Sequence, residues 1–363
     1  MNLVIADDAK KQKRFLKFRK DIYTNGKKYV DNGYYMIKEI FSGKLHFTQN
    51  LTVIPAFVTE GGEDSRILCE GIIAYSKELP EYVQLCFFEA LKDQQEAVDL
   101  LIDKAGEVGR ELSCKRIVAG LYGHVNYGLG FFSSGEESVN SFSSSANPLF
   151  YNDYFRKRGF DEIGLNTYHG GDLDKKLSGY QAILRKLDRN YEFKYFSLKE
   201  FDEYARIYTE LNNKCFANHR YYYKSDLEDN KEMLRDLFMF MKEDSLIFAF
   251  HKGKPVAFIM WYPDFNLLAK PGEIFGAKHF FLNKLFGSKI KTAKVMEYGV
   301  LDEYRGVGLP LALINKVYST AKKRGFEKLE TSWILEENLD SNSFCREVCD
   351  GIYKNYSVYE KDI

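Results

Sequence analysis

One loop in the second half of the chain has residue types and spacing suited to holding a phosphate group. Residues 300–309 read Val-Leu-Asp-Glu-Tyr-Arg-Gly-Val-Gly-Leu and join a predicted strand to a predicted helix. Glycine allows the backbone to pass close to a ligand, and the N–H groups at a helix start attract anions. Arg305 adds a cation beside Gly306 and Gly308. The segment therefore predicts a pyrophosphate-binding loop and a cofactor that carries phosphate.

The elements around this loop follow from hydrophobic patterning. Residues 309–323 are amphipathic and predict a helix that ends near Gly325, because cations precede that glycine. Strands are predicted at 294–301 and 328–334 on either side of the loop and helix. Before them, the turn 252–255 predicts a hairpin between strands 245–251 and 256–261.

The first half of the chain repeats the same order of elements. The predicted pattern is three strands, a helix and a strand, at 56–60, 67–75, 81–89, 94–112 and 115–121. The segment 91–95, which corresponds to the phosphate loop, contains neither glycine nor arginine. The pattern therefore predicts two similar halves with one phosphate site.

Composition excludes several classes of function. Lys+Arg and Asp+Glu are 52 each among the 363 residues, so the balance does not favour a nucleic-acid partner. The six cysteines form no C-x-x-C pair, and we expect no metal site. The first 20 residues are charged, and no apolar run approaches the roughly 20 residues of a membrane helix. These features predict a cytoplasmic protein with no membrane partner.

The junction between the halves is predicted near residues 184–191. A helix at 175–187 is followed by a strand at 191–197 and a helix at 198–216. The predicted domains are therefore 1–187, which lacks the phosphate loop, and 188–363, which contains it. Residues 265–292 are expected to be an insertion between strands.

The loop and its flanking elements resemble the GNAT acyl-CoA N-acyltransferase superfamily. Residues 305–310, Arg-Gly-Val-Gly-Leu-Pro, are similar to the family pattern [Q/R]-x-x-G-x-[G/A], with Pro310 in the last place. Since proline has no N–H, one backbone donor to the pyrophosphate is missing. The resemblance implies an α+β fold of two tandem GNAT-like domains, each a mixed sheet flanked by helices. It also implies acetyl-CoA or another acyl-CoA as co-substrate, held by Val300, Leu301, Arg305, Gly306, Val307, Gly308, Leu309, Leu311 and Asn338.

Two further segments resemble the family at its tail. Residues 338–345 resemble the family's N-x-x-A-x-x-x-Y, with Asn338 and Ser341 retained and Cys345 in the place of the tyrosine. By resemblance, Cys345 occupies the position of the general acid that protonates the departing CoA thiolate. A thiol is a poor substitute for a phenol in that role, so Tyr353, Tyr356 or a water are alternatives. In the first half, residues 154–160 are similar to the family's L-Y-x-K-x-G-F tail.

Other residues are candidates for the base and the acceptor site. Glu297 lies on the strand that enters the loop and is a candidate base for the acceptor amine, although a solvated or ion-paired carboxylate is equally consistent with the sequence. Tyr298 is interpreted as a core residue. The segment 218–224 is a candidate for acceptor contacts, and the alternative is a packed aromatic loop. The Pro-Asp turn at 263–266 is a second candidate, and the alternative there is an ordinary Asx turn. The acceptor candidates are Tyr221, Tyr222, Asp264 and Asn266.

The resemblance implies transfer of an acyl group, with acetyl the first expectation, from CoA to an amine of a small molecule or peptide. Two alternatives stay open. One is a non-catalytic acyl-CoA-binding or regulatory protein, favoured by Pro310 and Cys345. The other is an aminoacyl or peptidyl transferase with an RNA-linked donor, disfavoured by the neutral charge. The sequence leaves the acceptor, the role of the first half and the oligomeric state open.

Overall fold

The computed structural model describes residues 1–135, 139–171 and 173–363. They form two compact units. Unit 1 comprises Met1–Asn166, Ala269–Gly276 and Lys354–Ile363, and unit 2 comprises Thr167–Leu268 and Ala277–Tyr353. Within the described ranges, none of the helices combines the length and apolar character that crossing a bilayer requires.

The first half of the chain contains both helices and strands. They are β1 (Asn2–Ile5), α1 (Ala9–Gly26), α2 (Tyr34–Ser42), β2 (Leu51–Thr59), β3 (Ile67–Ser76), β4 (Tyr82–Ala90), α3 (Gln95–Glu111), β5 (Arg116–Ala119), β6 (Phe131–Gly135), α4 (Phe150–Lys157) and β7 (Asp161–Gly170).

The second half begins with two short helices. Its elements are α5 (Leu173–Ser178), α6 (Gln181–Asn190), β8 (Glu192–Tyr195), α7 (Phe201–Cys215), α8 (Leu227–Phe238), β9 (Leu246–His251), β10 (Lys254–Pro263), α9 (Ala277–Phe286), β11 (Thr292–Val300), α10 (Leu309–Lys323), β12 (Lys328–Thr331), β13 (Ile334–Leu335), α11 (Leu339–Val348) and β14 (Gly351–Asp362).

Each unit contains a mixed sheet that includes a parallel pair of strands. In unit 1 the strand order is β1-β2-β3-β4-β5-β14-β7, and β4 is parallel to β5. In unit 2 it is β7-β12-β11-β10-β9-β8, and β11 is parallel to β12. Helix α3 connects β4 to β5 and helix α10 connects β11 to β12, because a parallel pair needs a crossover connection. The predicted α+β class and the repeated β-β-β-α-β order are therefore confirmed.

The crossover helix α10 spans the residues that its pattern predicted. Its buried side chains include Leu309, Leu313 and Val317, which are spaced by four and lie on one face. In unit 1, α3 buries Leu101 and Ala105 in the same way against β2, β3 and β4. Burial of these stripes holds each helix on its sheet, because removing apolar surface from water contributes about 25 cal/mol for each Å².

The compact units do not divide at the predicted junction of 187 and 188. The predicted helix 175–187 is replaced by α5 and α6, which belong to unit 2 and bury Leu177, Leu184 and Leu187. These leucines cover apolar surface of unit 2, so this segment behaves as part of a core and not as a linker. Of the predicted insertion 265–292, the segment Ala269–Gly276 belongs to unit 1.

A buried ionic network occupies the interior of unit 1. The Arg19 guanidinium contacts the Asp31 carboxylate through Nη2 at 2.8 Å and the Glu89 carboxylate through Nη1 at 2.7 Å. The Tyr151 hydroxyl donates to the other Glu89 oxygen at 2.9 Å. All four residues are buried. Because a buried charge is tolerated only when it is paired and hydrogen-bonded, Arg19 is the cation on which this network depends.

We expect Arg19→Met to destabilise the protein by about 3–5 kcal/mol, because it leaves Asp31 and Glu89 buried without their cation. Arg66→Met is the matched control, since Arg66 pairs with Glu60 on the surface and such pairs contribute little. Denaturant unfolding followed by circular dichroism measures both. Equal stability of the two variants would contradict the structural role of the network.

Candidate functional site

The site in unit 2 begins where β11 separates from β12. The parallel pairing runs from Thr292↔Lys328 to Val295↔Thr331, and the N–H of Ser332 donates to the Val295 carbonyl at 2.7 Å. On its other side, β11 remains paired with β10 as far as Val300. The backbone of residues 296–300 therefore borders a gap on the β12 side, where an extended ligand can form hydrogen bonds with it.

A β-bulge lies at the point of separation. Met260 of β10 is opposite Glu297, whereas Trp261 is opposite Val295, so Met296 is the extra residue. Bulges bend the strand and increase its twist. The bulge accounts for the divergence of β11 from β12, and it sets which way the side chains of residues 297–300 point.

A cavity of about 1010 Å³ follows this gap. Its walls come from the end of α7 and the turn after it, from β11, from the loop before α10, and from α11 with the turn that precedes it. The lining residues include Cys215, Asn218, His219, Arg220, Tyr298, Gly299, Val300, Arg305, Gly306, Val307, Gly308, Leu311, Asn338 and Ser341.

The glycine loop adopts a conformation that its sequence requires. Gly306 has φ +74° and Gly308 has φ +94°, in the region that favours glycine. Helix α10 begins immediately afterwards, with Pro310 in its first turn. Because the first N–H groups of a helix have no partner within the helix, those near Leu309 and Leu311 are available to an anion. Arg305 is exposed and pairs with Asp302 at 2.9 Å.

Glu297 is held by two side chains of α7. The Tyr208 hydroxyl donates to Oε1 at 2.5 Å, and the Asn212 amide donates to Oε2 at 2.9 Å. Burial raises the pKa of the Glu297 carboxyl to about 7, although both hydrogen bonds favour the charged form. Glu297 is half-buried and held by hydroxyl and amide donors, and its pKa lies where a general base is effective.

Tyr298 points to the opposite face of β11, because side chains alternate along a strand. Its ring is near Phe344 of α11, and its hydroxyl donates to Ser341 Oγ at 3.0 Å. Burial raises its pKa to about 12, so the phenol is neutral at physiological pH. The sequence interpretation of Tyr298 as a core residue is incomplete, because the side chain also lines the cavity.

Glu297 itself is not among the described residues that line the cavity, but Gly299 on the same face is. A Cβ at Gly299 would lie 2.8 Å from the Cβ of Cys215 and 2.6 Å from the ring of Phe258. This position therefore needs glycine, because α7 packs directly on β11 there. The same close packing brings the donors of α7 within reach of Glu297.

Cys345 does not reach the cavity, judged by the lining residues in the described part of the chain. Its side chain is buried. A hydrogen bond with Cys349, together with burial, raises the pKa of the Cys345 thiol well above its ordinary value. The thiol therefore lies outside the described lining of the cavity, and its role as the acid stays a prediction.

The predicted CoA-binding residues divide into two groups. The cavity is lined by Val300, Arg305, Gly306, Val307, Gly308, Leu311 and Asn338. Leu301 and Leu309 are not in its described lining. Leu309, the first residue of α10, is buried in the core, and the backbone N–H of Leu301 donates to the Val256 carbonyl. Asn338 has a second task, because its side chain caps α11 by accepting from the N–H of Ser341 at 3.1 Å.

The predicted acceptor residues lie elsewhere in the described structure. Tyr221 is fully buried, and the Tyr222 hydroxyl donates to the side-chain Oδ1 of Asn212 at 2.8 Å, which supports the amide that holds Glu297. The side chain of buried Asp264 accepts from the N–H of Asn266 at 3.3 Å, as in the Asx turn that was the alternative. Asp264 follows β10, at the end of the sheet opposite Val300.

Three neighbours of the predicted tyrosines line the cavity instead: Asn218, His219 and Arg220. Burial lowers the pKa of His219 to about 4, so its imidazole is neutral at physiological pH. Arg220 forms an ion pair with Glu337 across the cavity wall at 3.2 Å. The polar-aromatic composition of 218–224 indicated a binding segment. Which of its side chains face the cavity depends on the conformation of the turn that follows α7.

Comparison with known proteins agrees with this geometry. Residues 203–350 match the model of the acetyltransferase (GNAT) family. Protein YghO of Escherichia coli (strain K12) is 30% identical over 175 residues, which are 46% of this chain and 44% of YghO. The bacterial ceramide synthase of Caulobacter vibrioides (strain NA1000 / CB15N) is 23% identical over 189 residues, 50% of this chain and 46% of the synthase. The matches thus span less than half the length of either relative.

Solved structures share the fold over nearly the whole chain. A tandem GNAT protein from the clavulanic acid biosynthesis pathway superposes with a TM-score of 0.56 at 14% identity, covering 99% of this chain and 98% of that one. The glucosamine N-acetyltransferase region of a fungal β-N-acetylglucosaminidase gives a TM-score of 0.60 at 16% identity, covering 99% of this chain and 38% of the other. Residues 203–350 therefore match the acetyltransferase (GNAT) family, and the chain as a whole has the fold of a tandem GNAT protein.

Proposed function

We propose that unit 2 transfers an acyl group from acyl-CoA to the primary amine of an acceptor. The observation that carries this proposal is the gap beside β11, which has an anion-binding loop at one end and two differently tuned acid–base groups on the strand itself. The match of residues 203–350 to the GNAT family model supports acyltransferase activity in general. The co-substrate, the acceptor and the roles of individual residues are part of the proposal.

Acyl-CoA would lie along the gap. The pyrophosphate would contact the N–H groups from Gly306 to Leu309, with the Arg305 guanidinium beside it. Arg305 can turn to the phosphate, because its present partner Asp302 is also exposed. The pantetheine amides would pair with the open backbone edge of residues 296–300. Pro310 leaves this loop with one N–H fewer than most members of the family offer.

Glu297 would act as the general base. An aliphatic amine is largely protonated at neutral pH, and only the free amine can attack a thioester. With a pKa of about 7, the Glu297 carboxylate can accept the ammonium proton, directly or through one water. Tyr208 and Asn212 would fix the orientation of the carboxylate.

Tyr298 would supply the proton to the departing CoA thiolate, the role that the family resemblance placed at Cys345. Its phenol stays protonated at physiological pH and lines the cavity, whereas Cys345 is buried outside it. Ser341 keeps the hydroxyl in position until the thiolate forms. Acid and base would thus be consecutive residues of one strand, on opposite faces.

The acceptor is proposed to be a long-chain amino alcohol. The support is the 23% identity to a bacterial ceramide synthase over half of this chain, since a ceramide is the amide of such an amine. A non-catalytic acyl-CoA-binding protein is the second candidate, favoured by the inaccessibility of Cys345 and the missing donor at Pro310.

The first experiment measures release of CoA thiol from acetyl-CoA and from a long-chain acyl-CoA, each with sphinganine as acceptor. We expect thiol release that depends on the amine, and none with N,N-dimethylsphinganine, which cannot form an amide. In wild type the rate should increase as pH rises through about 7, because Glu297 must lose its proton. In Glu297→Gln, turnover should fall by about 10²–10⁴, and the inflection near pH 7 should be lost, which leaves only the rise in rate that deprotonation of the amine itself produces.

Glu210→Gln is the matched control, because Glu210 is exposed on α7 and pairs with Arg206. It should leave both the rate and its pH profile unchanged. Binding of acyl-CoA without thiol release toward any amine would favour the non-catalytic candidate. An unchanged pH profile in Glu297→Gln would remove Glu297 as the base.

The roles of Tyr298 and Cys345 are separated by two substitutions. Tyr298→Phe should lower kcat by about 10²-fold with little change in KM for acyl-CoA, because it removes the proton donor and keeps the ring. Cys345→Ala should leave kcat within about twofold, since the thiol does not reach the cavity. The opposite pattern of effects would return the role of acid to Cys345.

The loop is tested by Gly308→Ala, with affinity for CoA measured by isothermal titration. A Cβ at φ +94° strains the turn, and relief of that strain re-aims the N–H groups. Loss of one charge-assisted hydrogen bond lowers affinity by about tenfold or more. Gly253→Ala in the β9–β10 hairpin introduces the same kind of strain at φ +78° and should leave affinity unchanged. Equal affinities would place CoA elsewhere.

A further inference from the structure

Helix α9 of unit 2 presents large apolar side chains to solvent. Phe281 is 63% exposed, Leu285 71% and Phe286 42%. Phe281 and Leu285 are four residues apart and lie on one face of the helix. Contiguous exposed side chains of this size mark an interaction surface in a soluble protein far more often than single exposed ones.

The inner face of α9 is fully engaged with its own unit. His279 is buried, the Phe280 ring lies 5.7 Å from the Phe240 ring, and the Asn283 amide donates to the Phe240 carbonyl at 3.0 Å. These contacts fix the rotation of the helix about its axis. The exposed face is therefore the outer face of a docked helix, and turning α9 inward would break contacts already made.

Cations lie among the exposed apolar side chains. Residues 277–291 contain four lysines and no acidic residue. Lys278, Lys284 and Lys289 are exposed. The Lys284 and Lys289 ammonium groups lie 4.3 Å and 4.9 Å from the ring centroids of Phe280 and Phe286. The fourth lysine, Lys291, pairs with Glu327.

We propose that this surface, the α9 patch (Phe281, Leu285 and Phe286 with Lys278, Lys284 and Lys289), docks unit 2 on an anionic phospholipid membrane. Phenylalanine and leucine on one helix face enter the boundary between head groups and acyl chains, while lysines extend to the phosphates. The interleaving of cations with apolar groups fits an anionic lipid surface, because the lysines can extend to lipid phosphates while the apolar side chains insert. The sequence-based expectation of no membrane partner is opposed by this proposal, and the experiment below decides between them.

Two neighbouring segments extend the apolar character. Met239 adjoins Phe240, which packs on α9, and Leu267 lies in the turn Phe265–Leu268, which contacts α9; each is 54% exposed. Docking here would bring the protein to the surface that holds long-chain lipid amines. The inference is nevertheless independent of acyl transfer, because the lysines and apolar groups would bind anionic lipid whether or not an acceptor is present.

Cosedimentation of the full chain with vesicles tests the proposal. Vesicles of phosphatidylcholine with about one third phosphatidylglycerol should bind the protein, and vesicles of phosphatidylcholine alone should bind it far less. Lys284→Glu should weaken binding by at least about fivefold, since one lysine near an anionic surface contributes about that factor. The double variant Phe281→Ser/Leu285→Ser should weaken it by on the order of tenfold or more, through the loss of buried apolar area.

Matched controls are Lys254→Glu at the β9–β10 hairpin and Leu198→Ser, both at exposed positions outside the α9 patch. They should bind vesicles as wild type does, and CoA affinity should be unchanged in all variants, which shows that the fold is retained. Equal binding of wild type and the double variant would overturn the proposal. So would wild-type self-association that the double variant abolishes without any vesicle binding, because the surface would then join copies of the chain.

Discussion

The site depends on one constraint on β11, which must leave β12 after Val295 while it stays paired with β10 as far as Val300. The bulge at Met296 makes this possible, because the extra residue bends the strand without interrupting the β10 ladder. Three consequences meet in the same few residues. The backbone edge is open, Glu297 faces the donors of α7, and Tyr298 faces α11. Gly299 then allows α7 to pack closely enough to hold the carboxylate.

In unit 1 a bulge also follows the end of a parallel strand pair, but different side chains surround it. The parallel pairing of β4 with β5 ends at Leu85↔Ala119, and a bulge follows, with Phe87 at φ +50°. After this bulge, β4 contributes Glu89 to the buried ionic network with Arg19 and Asp31. Burial raises the pKa of Glu89 to about 7 even in contact with Arg19. The two units therefore share the arrangement of strands. In unit 2 the residues after the bulge border a cavity, and in unit 1 they contribute to a buried ionic network.

Local chemistry was readable from the sequence, and long-range placement was not. Helix α10 has the predicted bounds, and Gly306 and Gly308 have the positive φ that their turn demands, because both follow from residues close in the chain. That Tyr298 lines the cavity and Cys345 does not could not be read from the sequence, since it depends on how α11 packs against β11. Likewise, only the turn after α7 decides that His219 faces the cavity and Tyr221 the core. The assignment of Ala269–Gly276 to unit 1 has no local signal either.

The place of β14 has a consequence for synthesis on the ribosome. In unit 1 this strand lies beside β5, with Tyr359 opposite Ala119, so the sheet of unit 1 joins residues more than two hundred positions apart. A nascent chain makes β1 to β5 early and must then keep the edge of β5 unpaired through the synthesis of all of unit 2. Unpaired edges are sites of misassembly. The half of the molecule that is made first is therefore the half that completes its sheet last.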